Sequence, residues 1–539
     1  MQLNLSISRK LFALSIALGL ASSGVVQAAS EPLSASTLRA APSSFLKVKG
    51  SKIQDGQGNS VLLRGVNIHT YYYQYQWDKT APLKNATEAD IQYLKSLGVN
   101  SIRLGLHWKY FQTNLGYQLI DNYVKWCENA GIYLILDMHV VPSETAVGQG
   151  KIWGNQLAQQ QLISLWKSIA SRYADKKIIA GFDLFNEPAP ANNQQWWSLV
   201  TAATKAIRSV DKNHMLFVEP ISTSQASFQL VNDTNVVYSF HDYKPYIVSH
   251  AGYAGASDSP VPTNYNYPGL VLKDVYTLNW AKGFNVIKSL TEWTQLESHE
   301  IIVPVNVQFA TLRITAVGRI GNMWIDDLNL TQNGSAVNLL NGNIEQASMT
   351  NKQLPANWRF SGTGDFVGSW DNTINHSSST ANDKSSLKIT GSSGGGTWSQ
   401  VNQFYTAPLI KVKAGDKINF QAWAYAPELK HAEFGIHLEY LNGNYEFYNK
   451  AHLTNDIQPY VNWAKNNNVP LYVGEFGALS SAQGNSRYNL VRDQMAVMNE
   501  AGLHWSLWNY RDLGKPYFGL YLDKKLDTRL AAELKKGLQ

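Results

Sequence analysis

Short runs of apolar residues recur along the first half of the chain, and each run is followed by a longer amphipathic stretch. Runs of this length without polar alternation are typical of strands buried on both faces of a parallel sheet. The intervening stretches carry the periodicity of surface helices. The pattern therefore predicts repeated βα units, with six strands at Val61–Ile68, Ser101–Leu104, Tyr133–Met138, Ile178–Phe185, Met215–Val218 and Val236–Phe240.

Local signals mark the ends of the first helix of this series. Thr87 is followed three residues later by Asp90, a capping-box pattern that predicts a helix start. Gly98 follows the last apolar residue, Leu97, and predicts the helix end.

The same alternation resumes near the C-terminus, where Leu471–Gly474 and Trp505–Trp508 are two further strand candidates. Six strands and two strands make the eight of a (β/α)8 TIM barrel in the α/β class. Between them, from Lys282 to Tyr445, helical periodicity gives way to alternating segments such as Lys417–Trp423. This change predicts an all-β sandwich inserted after barrel strand 6.

The N-terminus has the pattern of a secretory signal peptide. Arg9 and Lys10 precede the apolar stretch Leu11–Leu20, and small residues lead to a cleavage position after Ala28. We therefore expect a secreted protein, extracellular or periplasmic, that does not stay in a membrane after cleavage. The predicted division of the chain is signal peptide 1–28, flexible leader 29–44, barrel 45–281, inserted sandwich 282–445 and barrel 446–539.

Composition excludes some classes of protein. Hydrophobic residues make up 44% and charged residues 16%, which is typical of a globular chain with a large core. The formal charge is +6 without a basic cluster, so no nucleic-acid partner is expected. Cys127 is the single cysteine, which excludes an internal disulfide and favours a buried inert thiol. We expect a monomer.

Polar residues gather at the predicted carboxyl ends of the barrel strands, where barrel enzymes place their chemistry. Burying such groups without partners is costly, so their arrival at one end predicts an active site. The set is Arg103, His139, Asn186, Glu187, His241, Tyr243, Glu475 and Trp508.

Two of these residues are carboxylic acids on opposite sides of the predicted barrel mouth. Glu187 follows strand four and Glu475 follows strand seven. Glycosidic bond cleavage uses such a pair, one acid donating a proton and one carboxylate attacking the anomeric carbon. The alternative is two structural ion pairs, with Arg103 or a lysine.

The motifs at these positions resemble glycoside hydrolase family 5, the cellulase family. The resemblance covers Phe45 to Tyr243 and Asp456 to Leu534, and it rests on Arg64–Asn67, Ser101–Arg103, Asp137–His139, Leu184–Pro188, His241–Tyr243, Gly474–Gly477 and Trp508. It implies a retaining mechanism without a cofactor or a catalytic metal, and carboxyl groups about 5–5.5 Å apart.

The resemblance also implies a role for each site residue. Glu187 corresponds to the acid/base and Glu475 to the nucleophile. The supporting roles are Asn186 for the sugar 2-hydroxyl, Tyr243 and Arg103 for keeping Glu475 ionised, His139 and His241 for lining the subsite, and Trp508 for a stacking platform.

The inserted region resembles a jelly-roll carbohydrate-binding module with its halves exchanged. Asn338–Glu345 and Pro355–Trp358 are similar to the usual start of such modules, and Met323–Leu328 is similar to their end. A circular permutation explains this order, with Thr331–Val337 joining the old termini.

Because it is inserted after strand six, this region is expected beside the cleft, where it could bind glycan through faces such as Trp358, Trp370 or Trp398. It could instead wall off one end of the cleft, or be a rigid spacer whose aromatics form its core. The resemblance also implies a structural calcium near Glu345 and Asp326.

The predicted function is a retaining, endo-acting β-glycan hydrolase that acts on a β-linked polysaccharide or oligosaccharide, first of all an endo-β-1,4-glucanase. Subsite loops decide the substrate, so β-mannanase, β-1,3/1,4-glucanase and exo-β-glucosidase remain open. A polysaccharide-binding protein without catalytic activity is the alternative from another class.

Overall fold

The structure is a computed structural model that describes residues 42–70, 86–145, 150–221, 224–253, 260–348, 353–362, 366–376, 384–391, 399–403, 409–512 and 515–539. The predicted signal peptide, most of the predicted leader and Trp398 lie outside the described residues. No helix among the described residues is long and apolar enough to cross a membrane.

Eight parallel strands close into a barrel, which confirms the predicted fold class. The strands are Arg64–His69, Ser101–His107, Tyr133–Val140, Ile179–Asp183, Met215–Val218, Val236–Asp242, Leu471–Phe476 and His504–Leu507. Strand seven pairs with strand six on one side and strand eight on the other, so the sheet closes across the inserted region. Every residue of strands two to eight is buried, which is why these segments appear as continuous apolar runs.

Helices pack around the barrel and bury one apolar face each against it. Their bounds are Glu88–Leu97, Leu115–Ala130, Gln156–Arg172, Asn193–Arg208, Lys450–Asn467, Ser486–Glu500 and Thr528–Gly537, with a short helix at Tyr246–Ser249 and 3-10 turns at Trp108–Gln112 and Gln225–Ser227. The first helix has the predicted ends: Thr87 and Asp90 form a capping box, and Gly98 closes the helix with φ of 101°.

Two antiparallel sheets lie in the sequence between barrel strands six and seven. One sheet contains Leu290–Glu297, Lys417–Ala426, Asn322–Gln332, Ser386–Gly391 and Phe366–Asp371, with the short strands Ile301–Ile302 and Ser335–Val337. The other contains Trp358–Gly362, Ser399–Gln403, Phe309–Ile320, Leu429–Tyr448 and Gly269–Val286, with Ile410–Lys411. The inward faces of the sheets share a separate hydrophobic core.

Two long strands connect the inserted region to the barrel. Gly269–Val286 pairs with Leu429–Tyr448 over nearly their whole length, so the observed strands extend beyond the predicted bounds at 282 and 445. The first half of Gly269–Val286 and the last residues of Leu429–Tyr448 form a two-stranded ribbon, in which side chains such as Leu270 and Phe447 are exposed. The division of the chain at residues 282 and 445 stays a prediction.

Candidate active site

The structure brings all eight predicted site residues together at the carboxyl ends of the barrel strands. Arg103 lies at the centre, with no exposed side-chain surface. Its Nη1 donates to Glu475 Oε1 at 2.9 Å and its Nη2 donates to Asn186 Oδ1 at 2.9 Å. The fixed fork of the guanidinium therefore links the ends of barrel strands two, four and seven.

Glu475 is held by two donors on different sides. Arg103 donates to Oε1, and the Tyr243 hydroxyl donates to Oε2 at 2.8 Å. The side chain is only 6% exposed. Two charge-assisted hydrogen bonds at a nearly buried site stabilise negative charge and fix the direction of the carboxylate.

Glu187 faces Glu475 across His241. One ligand atom from each of the three side chains lies within 4.8 Å of the other two. The Glu187 side chain keeps 38% of its surface exposed, so it lies on the open side of the site. Glu475 lies on the side of the barrel interior. The short separation fits a pair that acts from opposite sides of one bond without a water between them.

His241 carries positive charge between these acids. Its Nδ1 lies 2.8 Å from Glu187 Oε1 and 3.6 Å from Glu475 Oε2. Burial alone would lower the pKa of His241, but the negative charges of Glu219 and Glu475 and the hydrogen bond to Glu187 raise it well above its ordinary value. Burial would raise the pKa of Glu187, yet the hydrogen bond and charge of His241 lower it to about 2. Both shifts favour placing the proton shared by this pair on His241.

Three buried carboxylic acids around Arg103 were not among the predicted site residues. Asp183 accepts from Nε at 2.8 Å, while Asp137 and Glu219 each lie 3.2 Å from Nη2. Burial raises the pKa of Asp137 to about 7 and also raises that of Asp183, because one guanidinium cannot compensate so many negative charges. Asp137 and Asp183 were visible in apolar strands, where a charged residue is a signal in itself.

His139 and Trp508 form the other wall. Their rings stack with centroids 5.2 Å apart, and His69 stacks on Trp508 at 5.5 Å. His139 Nδ1 lies 2.6 Å from Asp137 Oδ2, and burial lowers the pKa of His139 to about 3, which keeps the imidazole neutral. Trp508 is 3% exposed, and the His69 and His139 rings stack on it.

Glu187, His241 and Glu475 are the one group of three or more acidic or histidine side chains, among the described residues, whose ligand atoms come close enough to hold a metal ion. The group does not suit a cation, because Arg103 and Tyr243 already donate to both oxygens of Glu475.

The predicted calcium position is occupied by backbone contacts. Glu345 accepts from the backbone N–H groups of Lys384 and Ser385, and Asp326 accepts from Asp327 and His376. These bonds anchor loops of the inserted region, and the calcium stays a prediction.

The tryptophans proposed for glycan contact are only partly available. Trp358 is 1% exposed and belongs to the core of the inserted region. Its indole N–H donates to the backbone oxygen of Asn341. The indole N–H of Trp370 donates to the Ile344 backbone, and the ring packs against the same core.

Comparisons with known proteins give curated relatives of low identity. A protein named Beta-xylosidase from Phanerodontia chrysosporium is 29% identical over 267 residues, which are 38% of this chain and 55% of that protein. Endoglucanase C from Acetivibrio thermocellus is 26% identical over 224 residues, which are 38% of this chain and 64% of that protein. The chain thus matches between about half and two thirds of the length of these two relatives. A solved structure described as an endoglucanase has a TM-score of 0.46 and 14% identity, covering 88% of this chain and 97% of that one.

The family comparison covers more of the chain. The profile described as Cellulase (glycosyl hydrolase family 5) matches residues 54–268 and 381–514, which is more than half of the 539 residues. The match includes every predicted site residue, from Arg103 to Trp508. This chain belongs to glycosyl hydrolase family 5.

Proposed function

We propose that the protein is a retaining β-glycan hydrolase, and first of all an endo-β-1,4-glucanase. The observation that carries the proposal is the pair Glu187 and Glu475, whose nearest carboxylate oxygens lie within 4.8 Å of each other across His241. Inverting enzymes keep their carboxyl groups roughly 6.5–9.5 Å apart to admit a water, so the short separation favours retention.

In the first step Glu475 attacks the anomeric carbon. A bond forms between that carbon and a Glu475 oxygen while the bond to the leaving oxygen breaks, and the leaving oxygen takes a proton from Glu187. Arg103 and Tyr243 aim the Glu475 carboxylate, and Asn186, held by Arg103 at 2.9 Å, is placed to bind the sugar 2-hydroxyl.

The proton for this step comes through His241. Because the free protein stores it on the imidazole, it must cross the 2.8 Å contact to Glu187 as the leaving oxygen gains negative charge. The pair then holds one proton fewer and His241 is neutral. This arrangement lets an acid with a low ground-state pKa serve as a proton donor.

In the second step Glu187 acts as a base. It takes a proton from water, the resulting hydroxide adds to the anomeric carbon, and Glu475 leaves with its original charge. The proton returns to the pair formed by Glu187 and His241. Glu187 keeps 38% of its side-chain surface exposed, which gives water a path to it.

The substrate choice rests on the relatives and stays a proposal. The similarity to Endoglucanase C supports internal cleavage of a β-glucan as the first candidate. The similarity to the relative named Beta-xylosidase supports an exo-acting enzyme as the alternative. β-Mannanase and β-1,3/1,4-glucanase are the remaining candidates. Viscosity loss together with reducing-end release on carboxymethylcellulose, mannan, mixed-linkage glucan and xylo-oligosaccharides distinguishes them, and endo action requires viscosity to fall first.

Variants at both acids test whether the protein is a hydrolase at all. Glu187→Gln and Glu475→Gln preserve shape and remove one ionisable group each, so both should lose activity on polysaccharide by at least roughly 100-fold. Glu128→Gln, at a partly exposed helix position, is the matched control. Full polysaccharide binding without any hydrolysis by the unchanged chain would favour the non-catalytic alternative.

We propose that the inserted region contributes to glycan binding through the outer face of one sheet. Trp423 and Tyr425 on Lys417–Ala426 are half-buried and face outward. His376 stacks on one face of Trp423 at 3.9 Å, and Trp293 on the adjacent strand contacts Tyr425. Such aromatic faces suit the apolar faces of sugar rings. Trp423→Ala should raise KM severalfold for long glycans and leave KM for a tetrasaccharide unchanged. Tyr276→Ala, at an exposed aromatic on the ribbon, is the control.

We also propose that the chain is exported by its N-terminal segment and acts as a monomer outside the cytoplasm. N-terminal sequencing of secreted material should begin at Ala29. A mature protein that retains Met1 would contradict export by cleavage.

A further inference from the structure

Glu219 lies in the middle of the site although no glycosidic step uses it. It directly follows barrel strand five, Met215–Val218, and is 1% exposed. Its backbone is held in place by Trp196, whose indole N–H donates to the Glu219 carbonyl oxygen at 2.9 Å. A carboxylate buried this deeply is retained only where its charge is compensated.

One oxygen of Glu219 holds the backbone of the acid/base. Oε2 accepts the Glu187 N–H at 3.0 Å. Glu187 has a φ of +49°, a conformation that residues with side chains rarely adopt. The loop therefore needs a contact that fixes this turn, and the Glu219 carboxylate supplies one.

The other oxygen faces the two cations of the site. Oε1 lies 3.2 Å from Arg103 Nη2 and 3.2 Å from His241 Nε2. Since Nδ1 of His241 lies 2.8 Å from Glu187, both ring nitrogens face carboxylate oxygens. The Nε2 contact has the distance of an ion pair without the geometry of a hydrogen bond, so Glu219 acts on the imidazole through its charge and favours the imidazolium.

Ionisable groups from several strands surround His241. Glu187 and Glu475 lie near its Nδ1, and Glu219 lies near its Nε2. The groups that face or act on the imidazole are Glu187, Glu219, Glu475, Arg103, Asp137 and His139. Arg103 and His139 do not favour its positive charge, and Glu475 is already neutralised by Arg103. Glu219 is therefore the group best placed to control the proton on His241 without itself touching the substrate.

We infer that Glu219 is a positioning residue that holds the turn of Glu187 with one oxygen and keeps on His241, with the other, the proton that Glu187 passes to the leaving group. The inference rests on the proposed hydrolase function. It assigns to Glu219 a control of the pH range of activity, because hydrolysis stops when the pair loses its proton at high pH.

The test is the pH profile of kcat/KM for Glu219→Gln on a soluble β-glucan and on an aryl glycoside with an acidic leaving group. A glutamine can still accept from the Glu187 N–H with its amide oxygen, but it removes the negative charge beside His241 Nε2 and so favours a neutral imidazole. The alkaline limb should move to lower pH by roughly one unit. On the glucan kcat should fall by roughly 10- to 100-fold with little change in KM, and on the aryl glycoside it should fall much less.

Asp183→Asn is the matched control. Asp183 pairs with Arg103 Nε at 2.8 Å, on the side of the guanidinium away from Nη1 and its partner Glu475. Its variant should reduce activity equally on both substrates and leave the alkaline limb in place. The inference would be overturned by a folded Glu219→Gln enzyme that keeps the wild-type alkaline limb of the pH profile. A folded variant whose kcat falls equally on both substrates would also overturn it.

A second measurement does not depend on the variant folding. In the unchanged protein labelled with ¹⁵N-histidine, both ring nitrogens of His241 should be protonated at pH 7, with the signal assigned by His241→Asn. A neutral His241 would overturn the inference. If the unchanged protein hydrolyses no glycan, the proposed function fails, while the NMR result still decides whether His241 is held charged.

Discussion

Replacing Arg103 by lysine tests whether one guanidinium organises the site. The substitution keeps the positive charge and loses the planar fork. Arg103 donates to Asp183, Asn67, Glu475, Asn186 and Glu219 at 2.8–3.2 Å. A lysine has three donors on one nitrogen, so at least two of these five contacts are lost.

The size of the effect follows from burial. A hydrogen bond to a charged group contributes about 1.5–3 kcal/mol, so two lost bonds cost roughly 3–6 kcal/mol, which agrees with the ~3–5 kcal/mol for breaking a buried ion pair. If the bond to Glu475 is among those lost, kcat/KM should fall by roughly 10- to 150-fold. The melting temperature of the barrel should fall by roughly 5–10 °C.

Calorimetry and kinetics on the same preparation measure both effects. Tyr243→Phe is the control, because it removes only the 2.8 Å bond to Glu475 Oε2 and leaves the Arg103 contacts intact. It should reduce kcat/KM and lower the melting temperature by about half as much as Arg103→Lys, roughly 2.5–5 °C. If Arg103→Lys keeps kcat/KM within threefold of wild type, or is no less stable than Tyr243→Phe, the central role of the guanidinium is refuted.

Three further predictions concern the proton donor, the pH range and the core. Glu187→Ala should cripple hydrolysis of polysaccharide far more than that of activated aryl glycosides, whereas Glu475→Ala should abolish both; equal damage by both variants would contradict the assigned roles. Because its acidic neighbours raise the pKa of His241, kcat/KM should stay high at neutral pH and decline only in the alkaline range, and a decline with a midpoint near pH 6.5 would contradict this. Burial raises the pKa of the Cys127 thiol, so iodoacetamide at pH 8 should modify it only at the rate of unfolding, and rapid labelling of native protein would show that the helix packing is wrong.

Strands buried on both faces were predicted well because their pattern requires no knowledge of partners. Met215–Val218 has the predicted bounds, and the other barrel strands differ by a few residues. The strand-end residues followed from the same pattern, since a barrel brings the carboxyl ends of all its strands to one mouth.

Glu219 was missed because its sequence context is ordinary. It directly follows an apolar strand and precedes Pro220, as a solvent-exposed turn residue would. Its partners Glu187 and His241 lie 32 and 22 residues away along the chain. Only the closed barrel places it beside them.

The inserted sheet shows where alternation misleads. Along Lys417–Ala426 the small residues Ala422 and Ala424 face the core, while Trp423 and Tyr425 face outward. Residue size alone predicts the reverse orientation. The inner face is set by the space left beside Phe420 and the opposite sheet, which single-sequence periodicity does not contain.

Trapping the covalent intermediate tests the central claim most directly. A 2-deoxy-2-fluoro glycoside with a dinitrophenyl leaving group slows the second step of a retaining enzyme more than the first, so the glycosyl-enzyme accumulates. Mass spectrometry of the digested protein should find one added fluoroglycosyl group, on the peptide that contains Glu475, and none in Glu475→Gln. A label on Glu187, or inactivation of neither protein together with inversion of the anomeric configuration of the product, would contradict the account.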